Sequence, residues 1–198
     1  MAPRLLLAST SRHRALLLER LGLAFSVEAP GIDEAARPRE RPSARALRLA
    51  RAKAAAVAAR HPGAWVIGSD QVAVAGRRVL DKPGDAARCR EQLEASSGQR
   101  VRFHTAVVLQ PPAPDVARDH VDRTIVRFRT LTEQEIRRYI ELEQPFDCAG
   151  GFRSESLGVA LFDAVETRDP TALVGLPLIW LASALRSAGL DPLAPDQS

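Results

Sequence analysis

The chain has 198 residues, of which 45% are hydrophobic and 26% are charged, and its formal net charge is +4. A chain of this length buries roughly 70% of the surface that its unfolded form exposes, so we expect one domain over residues 1–198 with a full hydrophobic core. Acidic residues are interspersed among the basic ones and aromatic residues are few, which argues against a nucleic-acid-binding surface. A site for an anionic small molecule explains the excess of basic residues equally well.

Hydrophobic periodicity and turn residues predict strands and helices that alternate along the chain. We expect strands at residues 4–8, 25–29, 64–80 as a hairpin, 100–110, 120–131 and 157–165. We expect helices after the Ser-Thr-Ser turn at 9–11, at 43–60, from 84–85 to about 97, from 132 to about 143, and from 177 onward. The two long strands at residues 100–110 and 120–131 should pair antiparallel. The whole pattern predicts an α/β fold with a mixed sheet.

Cysteine usage and hydropathy argue against a disulfide-bonded or zinc-binding protein and against a secreted or membrane protein. Cys89 and Cys148 show neither the CxxC pattern nor the Cys/His spacing of a zinc site, and they predict reduced thiols in a cytoplasmic protein. The N-terminal apolar run is too short for a signal peptide, and the longest apolar stretch, residues 173–185, falls short of about 20 residues. We therefore expect no disulfide, no zinc site and no membrane association.

The turn between the first strand and the first helix is one candidate site. It carries hydroxyl groups from Ser9 to Ser11, followed by Arg14 one turn into the helix. Free N–H groups at a helix start, hydroxyls and an arginine suit a phosphate oxygen. The segment lacks the glycine pattern of a P-loop, and on local grounds an ordinary serine N-cap beside solvated charges explains the same residues.

Acidic residues form a second candidate site. Asp70 interrupts an apolar run, and because an isolated buried charge is very costly, it should be paired, hydrated or metal-bound. Together with Asp33 and Glu34 in a charged loop, it could hold a hard cation such as Mg²⁺. The alternatives are an aspartate in a turn and a solvated acidic loop.

The third candidate is a pair of lysines, Lys53 and Lys82, which are the only lysines among 28 basic residues. Lys53 has apolar neighbours three and four positions away on its helix, which places its stem on the apolar side. Lys82 precedes Pro83, which restricts its backbone to an extended form. We expect both ammonium groups to point inward toward a phosphate, unless the two lysines have survived by chance.

These segments together resemble the Maf-like nucleoside triphosphate pyrophosphatases over about residues 4–193. The resemblance is carried, in order, by LLLASTS, APGIDE, RLARAKA, VIGSDQV, LDKPGDA, FRTLTEQEI, CAGGFRSES and LVGLPLI. It implies a Maf/ITPase-like α/β fold, in which a long mixed sheet is flanked by helices and a cleft lies between two lobes. It also implies hydrolysis of the link between the α and β phosphates of a nucleoside triphosphate, giving a nucleoside monophosphate and pyrophosphate.

The resemblance further implies roles for individual residues. Asp70 falls on the proton acceptor for the attacking water, and with Glu34 it would hold a divalent cation, Mg²⁺ or Mn²⁺. The basic phosphate-handling residues of the family fall on Arg14, Lys53 and Lys82, and the serine of its first motif falls on Ser11. The expected partner is a nucleoside triphosphate, and a homodimer is a candidate assembly.

Three positions distinguish the base preferences within that family, and here they are His13, Gln71 and Glu155. Gln71 and Glu155, together with Cys148, resemble the subgroup that hydrolyses 7-methyl-GTP. A carboxylate at Glu155 could accept the two adjacent N–H donors of guanine and favour its cationic, N7-methylated ring. The alternatives are a dTTP/UTP pyrophosphatase and a nucleotide- or nucleic-acid-binding regulator with little catalysis. The family motif has Pro, then Trp or Arg, where this chain has Arg12 and His13.

Overall fold

A seven-stranded mixed sheet forms the centre of the structure, a computed structural model that describes residues 4–194. The strands are β1 (Leu5–Ala8), β2 (Ser26–Glu28), β3 (Trp65–Ala75), β4 (Arg78–Leu80), β5 (Arg100–Gln110), β6 (Arg118–Phe128) and β7 (Phe162–Glu166). The helices are α1 (Arg12–Glu19), α2 (Pro42–Ala58), α3 (Ala86–Ser96), α4 (Glu133–Glu143) and α5 (Leu178–Ser187). Within residues 4–194 no helix has the length and apolar character needed to cross a membrane.

The sheet combines a parallel part with an antiparallel part, in the strand order β2-β1-β3-β5-β6-β7. β1 runs parallel to β2 and to β3, whereas β5, β6 and β7 follow with antiparallel pairing. The two long strands β5 and β6 pair along almost their whole length, from Arg100 opposite Arg127 to Leu109 opposite Arg118. The predicted mixed α/β fold is therefore confirmed.

On one of its edges, β3 is longer than either partner. Its first four residues pair with β1, ending with Gly68 opposite Ala8, and its last three residues, from Ala73 onward, pair with β4. On this edge of the described sheet, residues 69–72 have no strand beside them, although β5 pairs with them on the other edge. Asp70 lies in this gap, so a charged side chain in the middle of a buried strand can still reach an opening.

Helices cover both faces of the sheet. α2 covers one face with its alanines, including Ala46, Ala50 and Ala54, against apolar residues of β1, β3 and β5. On the other face, α1 and α5 share a core at one end, and α3 and α4 share a second core at the other end. Phe103 and Phe152 meet edge to face within the second core, with ring centroids 5.5 Å apart. The space between these two cores leaves room for a cleft.

The prediction of a strand over residues 157–165 is wrong in its first half. Residues Leu157–Leu161 form a short 3-10 helix, and the strand begins only at Phe162. The reason lies at Gly158, whose N–H donates to the carbonyl of Arg153 at 3.0 Å. A Cβ atom at this position would lie 2.1 Å from that carbonyl oxygen, so the missing side chain allows the chain to close on itself.

Candidate active site

A cleft of about 600 Å³ opens at the gap in the edge of β3. This volume is within the range of about 300–1,000 Å³ that is typical of small-molecule sites. Its walls include nine of the positions singled out from the sequence: Ser11, His13, Arg14, Glu34, Lys53, Asp70, Gln71, Lys82 and Glu155. Asp33 is not among the lining residues; its carboxylate accepts from the N–H of Ala35 at 2.9 Å and shapes the loop locally.

The turn between β1 and α1 forms one wall of the cleft. Ser11 caps α1 by accepting from the N–H of Arg14, and Ser9 Oγ accepts from the N–H of Ser11 at 3.1 Å. Arg14 Nε donates to the carbonyl of Gly175 at 2.9 Å, and Ser69 Oγ donates to the same carbonyl at 2.9 Å. Burial lowers the pKa of Arg14, while the nearby carboxylates oppose that shift. The serine N-cap and a fixed arginine therefore coexist in one turn.

Lys53 and Asp70 form a buried ion pair at the bottom of the cleft. Lys53 is 5% exposed and Asp70 is 6% exposed, and Nζ of the lysine donates to Oδ1 of the aspartate at 2.7 Å. The same ammonium group lies 2.9 Å from Oε1 of the more exposed Glu34. Burial raises the pKa of Asp70, and the adjacent Lys53 partly offsets this rise by stabilising the carboxylate. Asp70 is thus an ionisable group suited to accepting a proton.

The absence of a side chain at Gly68 brings α2 close enough to β3 for this pair to form. A Cβ atom at Gly68 would lie 2.3 Å from the carbonyl oxygen of Ala50 and 2.9 Å from Cβ of Ala54. Such contacts are far inside van der Waals distance, so helix and strand can pack this closely only with glycine at position 68. Lys53 lies on the same stretch of α2, one residue before Ala54, and so reaches Asp70 two residues after Gly68.

Two further basic side chains line the cleft. Lys82 is exposed there, in contrast to the buried Lys53. Arg45, which was not a candidate from the sequence, also lines the cleft. Its Nη2 lies 3.4 Å from Asp81, and its buried Nε has no hydrogen-bond partner among residues 4–194. An unsatisfied buried donor of this kind suits an anionic ligand.

At another part of the cleft, His13 and Glu155 pair with each other. His13 Nδ1 lies 2.7 Å from Oε1 of Glu155, and both side chains are about one-third exposed, at 28% and 35%. The contact joins the start of α1 to the loop that follows α4. Two of the three residues expected to set base preference therefore meet each other directly, and a ligand that reaches Glu155 competes with His13.

The environment of Gln71 differs from that of His13 and Glu155, because its side chain is hydrogen-bonded to the sheet and to the loop before α5. Its Nε2 donates to Thr105 Oγ1 at 2.9 Å and to the carbonyls of Ala172 and Leu173, both at 3.0 Å. Thr105 Oγ1 in turn donates to the carbonyl of Ala172 at 2.9 Å. Gln71 thus holds the loop before α5 against the sheet, and its amide N–H groups are occupied by the protein itself.

The donor set of Asp70 and Glu34 fits a divalent cation of the hard type. Their carboxylate oxygens both approach the single ammonium group of Lys53, so the protein already directs two acids at one positive charge. Mg²⁺ is commonly bound by one or two carboxylates, with water and phosphate oxygens completing its ligands, and Mn²⁺ accepts the same donors. Asp70 and Glu34 are the residues that would hold such a cation.

Fold and cleft together define an α/β protein with a nucleotide-sized site at the edge of a mixed sheet. A family model described as "Maf-like protein" matches residues 4–188. The chain belongs to the Maf family.

Comparison with known proteins gives full-length relatives. The chain is 57% identical over 189 residues to a 7-methyl-GTP pyrophosphatase of Xanthomonas axonopodis pv. citri, covering 96% of this chain and 98% of that protein. It is 50% identical over 191 residues to a protein of the same name from Bordetella pertussis, covering 96% and 95% of the two chains. Among solved structures, the Ham1 protein of Staphylococcus aureus matches with a TM-score of 0.45 and 13% identity, covering 63% of this chain and 71% of that chain.

Proposed function

We propose that this protein is a metal-dependent nucleoside triphosphate pyrophosphatase acting on 7-methyl-GTP, which it converts to 7-methyl-GMP and pyrophosphate. The observation that carries the proposal is the buried carboxylate of Asp70, paired with Lys53 at 2.7 Å in a cleft that Arg14 and Lys82 also line. The names of relatives at 50–57% identity over nearly the full length support the same activity.

The catalytic role of Asp70 follows from its surroundings. A carboxylate whose pKa is raised by burial is a better base than an ordinary aspartate, and it can take the proton of a water molecule that attacks the link between the phosphates. Lys53 keeps the carboxylate oriented and in its ionised form. A divalent cation held by Asp70 and Glu34 supplies Lewis-acid polarisation when it is bound.

Phosphate charge is neutralised by groups that the protein has already positioned. Arg14 is anchored to the carbonyl of Gly175 through Nε, which fixes the direction of its guanidinium group. Arg45 offers its buried Nε, which has no hydrogen-bond partner within the described part of the chain, and Lys82 offers an exposed ammonium group at the cleft. Such preorganised positive charge stabilises the charge that develops on the departing phosphate group.

Recognition of the base is assigned to the acidic part of the cleft. Glu155 can exchange its contact with His13 for the N1–H and N2–H donors of guanine, which lie side by side. Methylation at N7 makes the ring cationic, and Asp147 adds a second carboxylate to the same cleft. A cationic base is therefore favoured over a neutral one.

A panel of nucleotides tests the proposal. We expect pyrophosphate release in the presence of Mg²⁺ or Mn²⁺ to be fastest with 7-methyl-GTP, slower with GTP, and slowest with dTTP and UTP. Asp70→Asn should abolish turnover while the fold is retained, as judged by circular dichroism. Turnover of no nucleotide, or full activity of Asp70→Asn, would refute the mechanism, and a preference for dTTP or UTP would refute the assigned substrate.

Glu155→Gln tests base recognition separately from catalysis. An amide presents one acceptor and one donor to guanine, so one of the two contacts is lost and the preference for the cationic ring falls. We expect kcat/KM for 7-methyl-GTP to drop about 10-fold or more, while the value for dTTP changes little. Equal losses on both nucleotides would place Glu155 outside base recognition.

A further inference from the structure

Three side chains from two segments that are distant in the sequence meet at the cleft with the chemistry of a transition-metal site. A ring nitrogen of His13, the Sγ of Cys148 and a carboxylate oxygen of Asp147 all lie within 4.8 Å of one another. His13 lies at the start of α1, whereas Asp147 and Cys148 lie in the loop after α4. We propose that His13, Cys148 and Asp147 bind a borderline or soft divalent ion of the Zn²⁺ class.

The identity of the donors determines which ion is favoured. A thiolate, an imidazole and a carboxylate are the ligands that Zn²⁺ takes in proteins, whereas Mg²⁺ and Mn²⁺ prefer oxygen donors alone. Three protein ligands leave a fourth position open to water or another ligand. The site is therefore chemically distinct from the pair Asp70 and Glu34, although it lies in the same cleft.

Glu155 supplies the outer contact that histidine ligands of metals commonly have. Its Oε1 lies 2.7 Å from Nδ1 of His13, which fixes the proton on that nitrogen and leaves Nε2 with the free electron pair. Ligand atoms around tetrahedral zinc are about 3.5 Å apart, so small side-chain rotations suffice to close the cluster.

The local charge balance also favours a dication. With Cys148 as a thiolate, the cluster and its outer carboxylate carry three negative charges, from Cys148, Asp147 and Glu155. Arg153 contributes one positive charge, which it shares between Asp147, 3.0 Å from its Nη2, and Glu143, 3.9 Å from its Nη1. The cluster therefore keeps an excess of negative charge that suits a divalent ion, which would displace the proton of the thiol on binding.

Cd²⁺ titration followed by ultraviolet absorption tests the site, because thiolate-to-metal charge transfer reports the sulfur ligand directly. We expect one Cd²⁺ per chain to produce the band, and we expect excess Mg²⁺ not to remove it. Cys148→Ser should abolish the band, whereas Cys89→Ala, which removes the other and fully buried cysteine, should retain it. No band in the parent protein, or a band that survives Cys148→Ser, would overturn the proposal.

Two further variants test the histidine ligand and its outer contact. His13→Gln should weaken Cd²⁺ binding at least about tenfold, and Glu155→Gln should weaken it by about 10–100-fold through loss of the outer contact. Thermal unfolding of each variant without metal checks that the fold is intact. An unchanged Cd²⁺ affinity in His13→Gln would overturn the three-ligand site. The Cd²⁺ titration measures metal binding alone, so its result does not depend on whether a variant still hydrolyses nucleotides.

Discussion

At the residue scale, the pair of Asp70 and Lys53 sets the pH range in which the carboxylate can act as a base. Burial raises the pKa of Asp70, and Lys53 lowers it again because a neighbouring cation favours the charged form. Activity that needs the ionised carboxylate is lost as the pH falls through this raised pKa.

Lys53→Met should therefore move the acid limb of the kcat/KM profile to higher pH. Loss of the ammonium group leaves Asp70 buried without its closest cation, so its pKa rises further. The profile of the residual activity measures the shift. Arg51→Met is the matched control, because Arg51 is an exposed cation of the same helix that pairs with Asp119 at 2.5 Å. If the acid limb of Lys53→Met stays at the parent position, Lys53 does not influence the pKa of Asp70.

The two lysines should respond differently to replacement by arginine. Lys53 is enclosed between carboxylates at 2.7 and 2.9 Å, where the wide planar guanidinium group does not fit. We expect Lys53→Arg to lower kcat/KM by about 100-fold, the loss typical of a small misplacement at a reacting centre. Lys82 is exposed, and since exposed ion pairs contribute roughly 0–1 kcal/mol, Lys82→Arg should stay within about fivefold of the parent. Comparable losses in both variants would contradict this distinction.

At the element scale, the packing of α2 on β3 determines whether the cleft forms at all. Gly68→Ala would place a methyl group 2.3 Å from a backbone oxygen of α2, and the helix cannot yield there as a side chain could. We expect a loss of about 1–3 kcal/mol in the free energy of unfolding, together with a loss of activity as Lys53 moves away from Asp70. Chemical denaturation and nucleotide hydrolysis measure the two effects.

Gly63→Ala provides the control for this substitution. Apart from its chain neighbours, no atom of residues 4–194 lies within 4 Å of a Cβ atom at Gly63, so the same chemical change is made without a steric conflict. Unfolding free energy and activity should both stay near those of the parent. A Gly68→Ala variant as stable and active as Gly63→Ala would show that the close approach of α2 is not required.

Periodicity in the sequence located some site residues and did not identify others, for physical reasons. Lys53 could be placed on the apolar side of its helix because its neighbours at three and four positions are apolar, and Asp70 stood out because it interrupts an apolar run. Arg45, by contrast, shares its periodicity with Arg48, and only the structure shows that Arg48 pairs with Glu40 while Arg45 turns to the cleft. Helical spacing predicts which residues share one face of a helix, but it does not predict what that face contacts.

Other features of the site leave no local trace in a sequence. The carbonyl of Gly175 anchors both Arg14 and Ser69, but a backbone acceptor is present at every residue. The approach of His13 to Cys148 joins segments far apart in the chain, so the spacing rules for zinc sites could not detect it. The mixed α/β fold was predictable because alternating strands and helices are encoded locally.

At the scale of the whole molecule, Asp122 on β6 makes stability depend on pH. It is 5% exposed, and burial followed by repulsion from Asp169 raises its pKa above 3.8. Because the folded state holds the proton more tightly than the unfolded state, this group favours folding below pH 3.8. Its contribution is lost as the pH rises through the folded-state pKa.

Asp122→Asn should therefore increase the free energy of unfolding at neutral pH. The amide keeps an oxygen to accept from Thr124 Oγ1, as Asp122 Oδ1 does at 3.4 Å, without the buried charge. Denaturation measured at several pH values should show the gain shrinking as the pH falls toward 3.8. If the gain in the free energy of unfolding is the same at every pH, it arises from packing rather than from the ionisation of Asp122.

The contact between Arg14 and the carbonyl of Gly175 spans 161 positions of the chain, and it bears on how the protein becomes active during its synthesis. Translation delivers α1, α2 and the strand that carries Asp70 long before it delivers the segment that precedes α5. The early elements can fold as they emerge, yet Arg14 and Ser69 lack their shared acceptor until Gly175 has left the ribosome. A nascent chain thus remains without a complete site until α5 is about to appear.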